Sequence, residues 1–459
     1  MIFETSEQIC IATDKSRSTP LFFTNIEDEF NISDSIDTII SLSNCNEPEQ
    51  IAVDVFLRTG YTINNQTLIK NIFVTEPCEI LCIKENKWES KSYLSYPKLF
   101  SQQNIKSEEK EAELAEILHQ IFSRLFKAIE SRPIAIPLSG GYDSRLVAYM
   151  AKLYHKNKIL AYTYGSKNNC EIENAKRTAE VLGIDWIFIE YNSNTIENFT
   201  NDPDFQNYYR FASNYTSSFW LQDYFAVKTI KDKKLVDDDC IFIPGLTGDS
   251  IAGVFLQRKY TENASEHIFS KNFYQFESTK EQKAKIISEI EKFKYIKNEE
   301  AWQSFYLWFI LQRQTKFNAN SARVYTFFGY DYHIPFWDND FLTFYLGLPY
   351  ELKSFKCLYN KVVESIFQSS GLLFKNELQP SRFQRNFQYL KEEIKRFIPS
   401  KITNLLSGNS SPFYYEEITK LLYNEIDKKN YIVPKQKNYY NTFISQWYVQ
   451  NAFKSLGIK

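Results

Sequence analysis

From residue 107 the apolar positions fall at helical spacing. Leu114, Ile117, Leu118, Ile121, Leu125 and Ile129 recur every three or four residues through a charged stretch and predict a helix over 107–131. The next apolar run, Ile134 to Leu138, is short and unbroken, as a strand buried on both faces would be. Helical spacing returns at Leu146, Val147, Met150 and Ala151. Residues 159–164 then read as a strand, 171–182 as a helix, and 186–191 and 240–243 as strands. This alternation predicts a parallel, doubly wound sheet, whose ligands sit at the carboxyl ends of the strands. Ahead of residue 107 the pattern is different: short β segments are expected at 9–13, 20–24, 67–74, 78–84 and 88–93. Beyond Ala301 the chain reads as helical and aromatic. The expected fold class is α/β, with a small β-rich unit over 1–108 and a larger unit with a helical C-terminal part over 109–459.

Composition narrows the partners. The 459 residues carry 54 basic and 56 acidic side chains, a net charge of −2, which gives no electrostatic case for nucleic acid or an anionic membrane. A small-molecule substrate fits better. No run of about 18 apolar residues occurs and the start lacks a signal pattern, so a soluble, cytoplasmic protein is expected. Seven cysteines, odd in number and without a C-x-x-C pair, predict neither a disulfide framework nor a zinc site and favour a reducing compartment. The 38 Phe and 31 Tyr point to aromatic-rich packing.

The chemistry is concentrated after the first long strand. Ser139-Gly140-Gly141-Tyr142-Asp143-Ser144 is a small, hydroxyl-rich turn between strand and helix. Glycines there let backbone amides approach a ligand, and the helix dipole favours an anion at the same place. The string is neither G-x-x-x-x-G-K-[ST] nor G-x-G-x-x-G. A second strand-then-glycine loop runs Pro244-Gly245-Leu246-Thr247-Gly248-Asp249-Ser250, and a third segment runs His333 to Leu342 followed by Gly347-Leu348-Pro349.

Taken in order, these three segments resemble the synthetase domain of the asparagine synthetase superfamily, over roughly residues 109 to 390. The resemblance implies an adenine nucleotide α-hydrolase-like sheet and an ATP-dependent, AMP-forming amide ligase. Ser139, Gly140, Gly141, Asp143 and Ser144 would hold the pyrophosphate of ATP, Asp143 and Asp249 would ligate Mg2+, and Leu138, Tyr164 and Gly245 would lie near the adenosine. For Asp249 a plain turn role stays open, and for Asp338 a helix cap is the alternative to a site-supporting carboxylate. Leu246 stands where the family carries glutamate or tyrosine, which removes general-base help from the loop. The family's later lysine is also missing, and Arg382 and Arg385 are the replacement cations, with Lys361 nearest otherwise. Arg313 and Arg323 are candidates to hold an acidic substrate.

The first hundred residues resemble the back half of the family's glutaminase domain, an Ntn-like unit. Its nucleophile is a cysteine directly after the initiator methionine, and here Ile2 stands there, while Cys10 lies inside a strand-like run. A vestigial, non-hydrolysing domain is expected. Nitrogen would then come from ammonia, from a separate glutaminase or from an amine on the substrate. The acceptor carboxylate would be aspartate or a carboxylated sugar. The alternatives are a macrolactam or peptide-cyclising synthetase and a catalytically weakened nucleotide-binding subunit.

Overall fold

The computed structural model describes residues 2–457 except 6–7, 28, 95–105, 168, 170, 258, 274, 298–299, 375–412 and 435–439. Strands β1 (Ile2–Glu4), β2 (Ile9–Ala12), β3 (Phe22–Ile26) and β4 (Glu29–Ser33) open the chain. Two helices follow, α1 (Ile36–Ser43) and α2 (Gln50–Thr59), then β5 (Phe73–Val74), β6 (Glu79–Lys84) and β7 (Lys87–Ser92). The strands form two antiparallel sheets, ordered β1-β2-β6-β7 and β4-β3-β5.

Three expectations for this part need correction. Helices α1 and α2 lie where the sequence pattern showed none. The Ser35 side chain caps α1 by accepting from Thr38 N, and Gly60, at φ 85°, ends α2 in the left-handed region. The strand expected over 67–74 shrinks to β5, because the Thr67 hydroxyl donates to the carbonyls of Ile69 and Ile72 and curls the backbone into turns. Cys10 and Cys82 face each other across β2 and β6, with Cα atoms 4.2 Å apart, and are joined as a disulfide. Their 72-residue separation leaves no local sign in the sequence. The scattered cysteines therefore carry no argument about compartment.

Helix α3 (Ser107–Ala128) follows, and it buries Leu114, Leu118, Ile121, Phe122, Leu125 and Phe126 along one stripe. Burial of each such side chain contributes about 1.5–3 kcal/mol. The second unit is then β8 (Ile134–Pro137), α4 (Tyr142–Tyr154), β9 (Ile159–Gly165), α5 (Glu171–Leu182), β10 (Asp185–Glu190), β11 (Ile241–Phe242) and β12 (Asp331–Tyr332). These five strands form one sheet in the order β10-β9-β8-β11-β12, and every pairing in it is parallel. The doubly wound expectation holds. The chain moves outward from β8 to β9 and β10, then returns to the other side through β11. The switch point therefore lies between β8 and β11, and the loops that follow these two strands start there side by side.

Residues after Ala301 are largely helical, ending in Tyr440–Ser455. Tyr325, Tyr330 and Phe328 are buried in the core, as aromatic stripes at helical spacing usually are. One cluster of buried side chains runs from Phe22 to Ala452. Among the described residues, no helix is long and apolar enough to cross a membrane.

Candidate active site

The loop after β8 is closed by its own hydroxyls. Ser139 N donates to Ser144 Oγ at 3.0 Å, the two Oγ atoms lie 2.9 Å apart, and Gly141 N donates to Ser139 Oγ at 3.2 Å. Gly141 is the N-cap of α4 and supplies no side-chain cap, so amides of the first turn remain available to an anion. A Cβ on Gly140 would stand 3.3 Å from Glu171 Cα, so a bare backbone suits the approach to α5. Arg145 holds this loop from behind. It is fully buried, donates from Nη2 to Gly140 O at 2.6 Å and from Nη1 to Leu372 O at 3.0 Å, and lies 4.6 Å from the Phe374 ring.

The second loop lies directly on the first. A Cβ on Gly245 would fall 2.6 Å from Ser144 N and 2.8 Å from Asp143 C, and one on Gly248 would fall 2.7 Å from Asp143 Oδ2. Two glycines therefore let the loops touch backbone to backbone. The close approach at Gly245 is made to the other loop. As a result Asp249 N donates to Asp143 Oδ2 at 2.8 Å, and the Asp249 carboxylate lies near enough for its charge to act on Asp143. Thr247, with φ 70°, holds the turn that makes this possible. Phe336 of the third segment packs its ring beneath Gly248 and is fully buried.

Electrostatics follow from that approach. Burial, and next the negative charge of Asp249, push the Asp143 carboxyl up to about 7, while Lys356, the Asp249 amide and the Tyr359 hydroxyl pull the other way. Tyr359 Oη donates to Asp143 Oδ1 at 2.8 Å, and Lys356 Nζ stands 3.9 Å from Asp249 Oδ2. Each Asp143 oxygen keeps a lone pair after accepting its donor. Two crowded carboxylates suit a cation between them, and magnesium binds through one or two carboxylates together with phosphates.

Lys356, Tyr359 and Arg145 were not foreseen. Lys356 and Tyr359 sit at the start of the helix Cys357–Ser370, and their only sequence sign is their place shortly after Gly347-Leu348-Pro349. Lys361, the nearest cation expected, pairs instead with Glu111 at 2.6 Å. Arg382 and Arg385 lie outside the described residues. Leu138 is buried and ends the β8–β9 ladder, its N donating to Tyr162 O at 2.8 Å. Tyr164, half-buried on β9, stacks on Tyr191 with ring centres 5.5 Å apart. Asp338 is the N-cap of helix Asn339–Gly347 and pairs with Arg124 at 2.8 Å, which settles it as a cap. Arg313 lies over the rings of Phe309 and Phe317.

Residues 115–369 match the family model described as asparagine synthase. The chain belongs to the asparagine synthase family. The matched stretch starts within α3 and ends in the helix Cys357–Ser370, so it spans both loops, Lys356 and Tyr359. Membership makes the protein an ATP-dependent amide ligase of the carbon–nitrogen ligase class, and the asparagine synthase family uses ATP generally with Mg2+. No curated protein matches the chain.

Proposed function

We propose that the protein adenylates a carboxylate with ATP, releasing pyrophosphate, and passes the acyl group to ammonia or an amine with release of AMP. The observation that carries this reading is the meeting of Asp143 and Asp249 at the switch point of the sheet, tied by the 2.8 Å bond from Asp249 N to Asp143 Oδ2. The turn of residues 139–144 and the open first turn of α4 hold the pyrophosphate end of the nucleotide. Leu138, Tyr164 and Gly245 border the adenosine side. Asp143 and Asp249 are the ligands for Mg2+, which when bound offsets the charge of the phosphates. Lys356, beside Asp249, is the cation for the leaving pyrophosphate, and Arg382 and Arg385 are further candidates for the same task. Tyr359 orients the Asp143 carboxylate.

The acceptor is aspartate or a carboxylated sugar, and nitrogen comes from outside the chain. Cys10, a strand residue bonded to Cys82, offers no thiolate for glutamine hydrolysis. A separate glutaminase, free ammonia or an amine on the substrate supplies it. The test is carboxylate-dependent exchange of radiolabelled pyrophosphate into ATP, with aspartate and uronic acids as acceptors. Exchange is expected in the native chain and absent from Asp143→Ala, whose melting temperature stays close to that of the native protein. If nucleotide binds but no acid supports exchange, the ligase reading falls and a nucleotide-binding subunit replaces it.

A further inference from the structure

The carbonyl of Gly140 takes its hydrogen bond from a side chain behind the loop. Among the described residues its one donor is Arg145, whose Nη2 reaches it at 2.6 Å. That guanidinium is held on every side. It is fully buried, its Nη1 donates to Leu372 O at 3.0 Å, and the rings of Phe374, Phe367 and Tyr142 lie 4.6, 5.3 and 5.7 Å from it. Leu372 is fixed in turn. It follows Gly371, which caps the helix Cys357–Ser370 at φ 73°, and its N donates to Phe367 O at 2.8 Å.

A trans peptide points its C=O and its N–H in opposite directions. With Gly140 O turned inward to Arg145, the N–H of the same peptide, that of Gly141, is turned outward, where it donates to Ser139 Oγ at 3.2 Å. Gly141 is exposed, so this face of the peptide is open. A phosphate oxygen is a stronger acceptor than the hydroxyl and can take the N–H over. Glycine on both sides makes this peptide the easiest of the loop to turn over. Turned over, it would present a carbonyl oxygen to the anion instead of a donor.

We propose that Arg145 is a positioning residue for pyrophosphate, which locks the Gly140–Gly141 peptide with its N–H toward the anion. This rests on the ATP reading above and needs no contact between Arg145 and the nucleotide.

Binding of inorganic pyrophosphate and of AMP, each with Mg2+, is measured by calorimetry on the full chain. Arg145→Met fills the space among the rings but donates nothing. It should bind pyrophosphate at least about tenfold more weakly, as loss of a bond to a charged group implies, and AMP as the native chain does. Arg145→Gln, which ends short of the guanidinium nitrogens, carries the same expectations if Arg145→Met does not fold. Adding Gly141→Ala to either variant should restore pyrophosphate affinity. The native φ of Gly141, −78°, suits alanine, and a Cβ there meets only Ser139 Oγ, at 3.3 Å, whereas the turned peptide needs a left-handed φ that alanine avoids. The proposal is overturned if the Arg145 variant binds pyrophosphate as the native chain does, if it loses AMP in equal measure, or if Gly141→Ala restores nothing. A native chain that bound neither pyrophosphate nor AMP would overturn the ATP reading, and this inference with it.

Discussion

At the scale of single residues the site is decided by two acidic residues, Asp143 and Asp249, brought together by the bond from Asp249 N to Asp143 Oδ2. Asp143 is raised to about 7 by burial and then by Asp249, so the folded protein holds this proton more tightly than the unfolded chain does. The sign follows from linkage. The carboxyl favours folding at pH below the usual carboxylate range, and that contribution is lost as pH rises through about 7. Asp249→Asn removes the second of the two causes but keeps the backbone N–H that donates to Asp143. In chelator, the native chain should lose more melting temperature between pH 5 and pH 8 than Asp249→Asn does, by a few degrees. Equal losses in the two proteins would show that the carboxylates do not sense each other.

At the scale of elements, the legible parts are those whose pattern and structure share one cause. Helix α5 occupies the residues that its apolar spacing indicated, and β8 ends where its apolar run gives way to serine and glycine. Both loops of the site follow from such strand ends. What was not legible depends on segments far apart in the chain. Tyr359 reaches Asp143 across 216 residues, and Lys356 reaches Asp249 only because the helix Cys357–Ser370 packs against α3. Arg145 reads as one more residue of α4, and only the fold shows it buried beneath Gly140. Gly245 joins the two kinds. Its glycine was visible, but the reason for it, a backbone 2.6 Å from where a side chain would start, was not. Gly245→Ala must push the loops apart against main chain that cannot rotate away, at a cost of about 1–3 kcal/mol. Separation of Asp143 from Asp249 should then lower pyrophosphate exchange at least tenfold. Exchange assayed beside thermal melting checks both, and an unchanged rate would mean that the loops slide without disturbing the paired carboxylates.

At the scale of the whole molecule, the division proposed at residue 108 marks a change from antiparallel to parallel sheet, while packing continues across it. Phe56 of α2 lies 5.6 Å from Tyr448 of the last helix, and Tyr448 Oη accepts from Tyr215 N at 2.9 Å. Arg58 is one polar link across that division. Buried at 4% exposure, it donates to Ser278 Oγ at 2.7 Å, to Asp54 O at 2.8 Å, and to Glu277 O and Gln282 Oε1, both at 3.0 Å. Burial lowers its pKa and Asp54 offsets part of that, while its hydrogen-bond acceptors lie on both sides of the proposed division. Arg58→Ala strands those acceptors and should cost about 3 kcal/mol. Because one buried cluster spans Phe22 to Ala452, the loss should move a single melting transition downward as a whole. Melting followed by tryptophan fluorescence and by far-UV circular dichroism gives coincident curves on this account. Two separated transitions, with only the earlier one moved by Arg58→Ala, would instead give residues 1–108 a stability of their own and make the contacts of Arg58 an interface between domains.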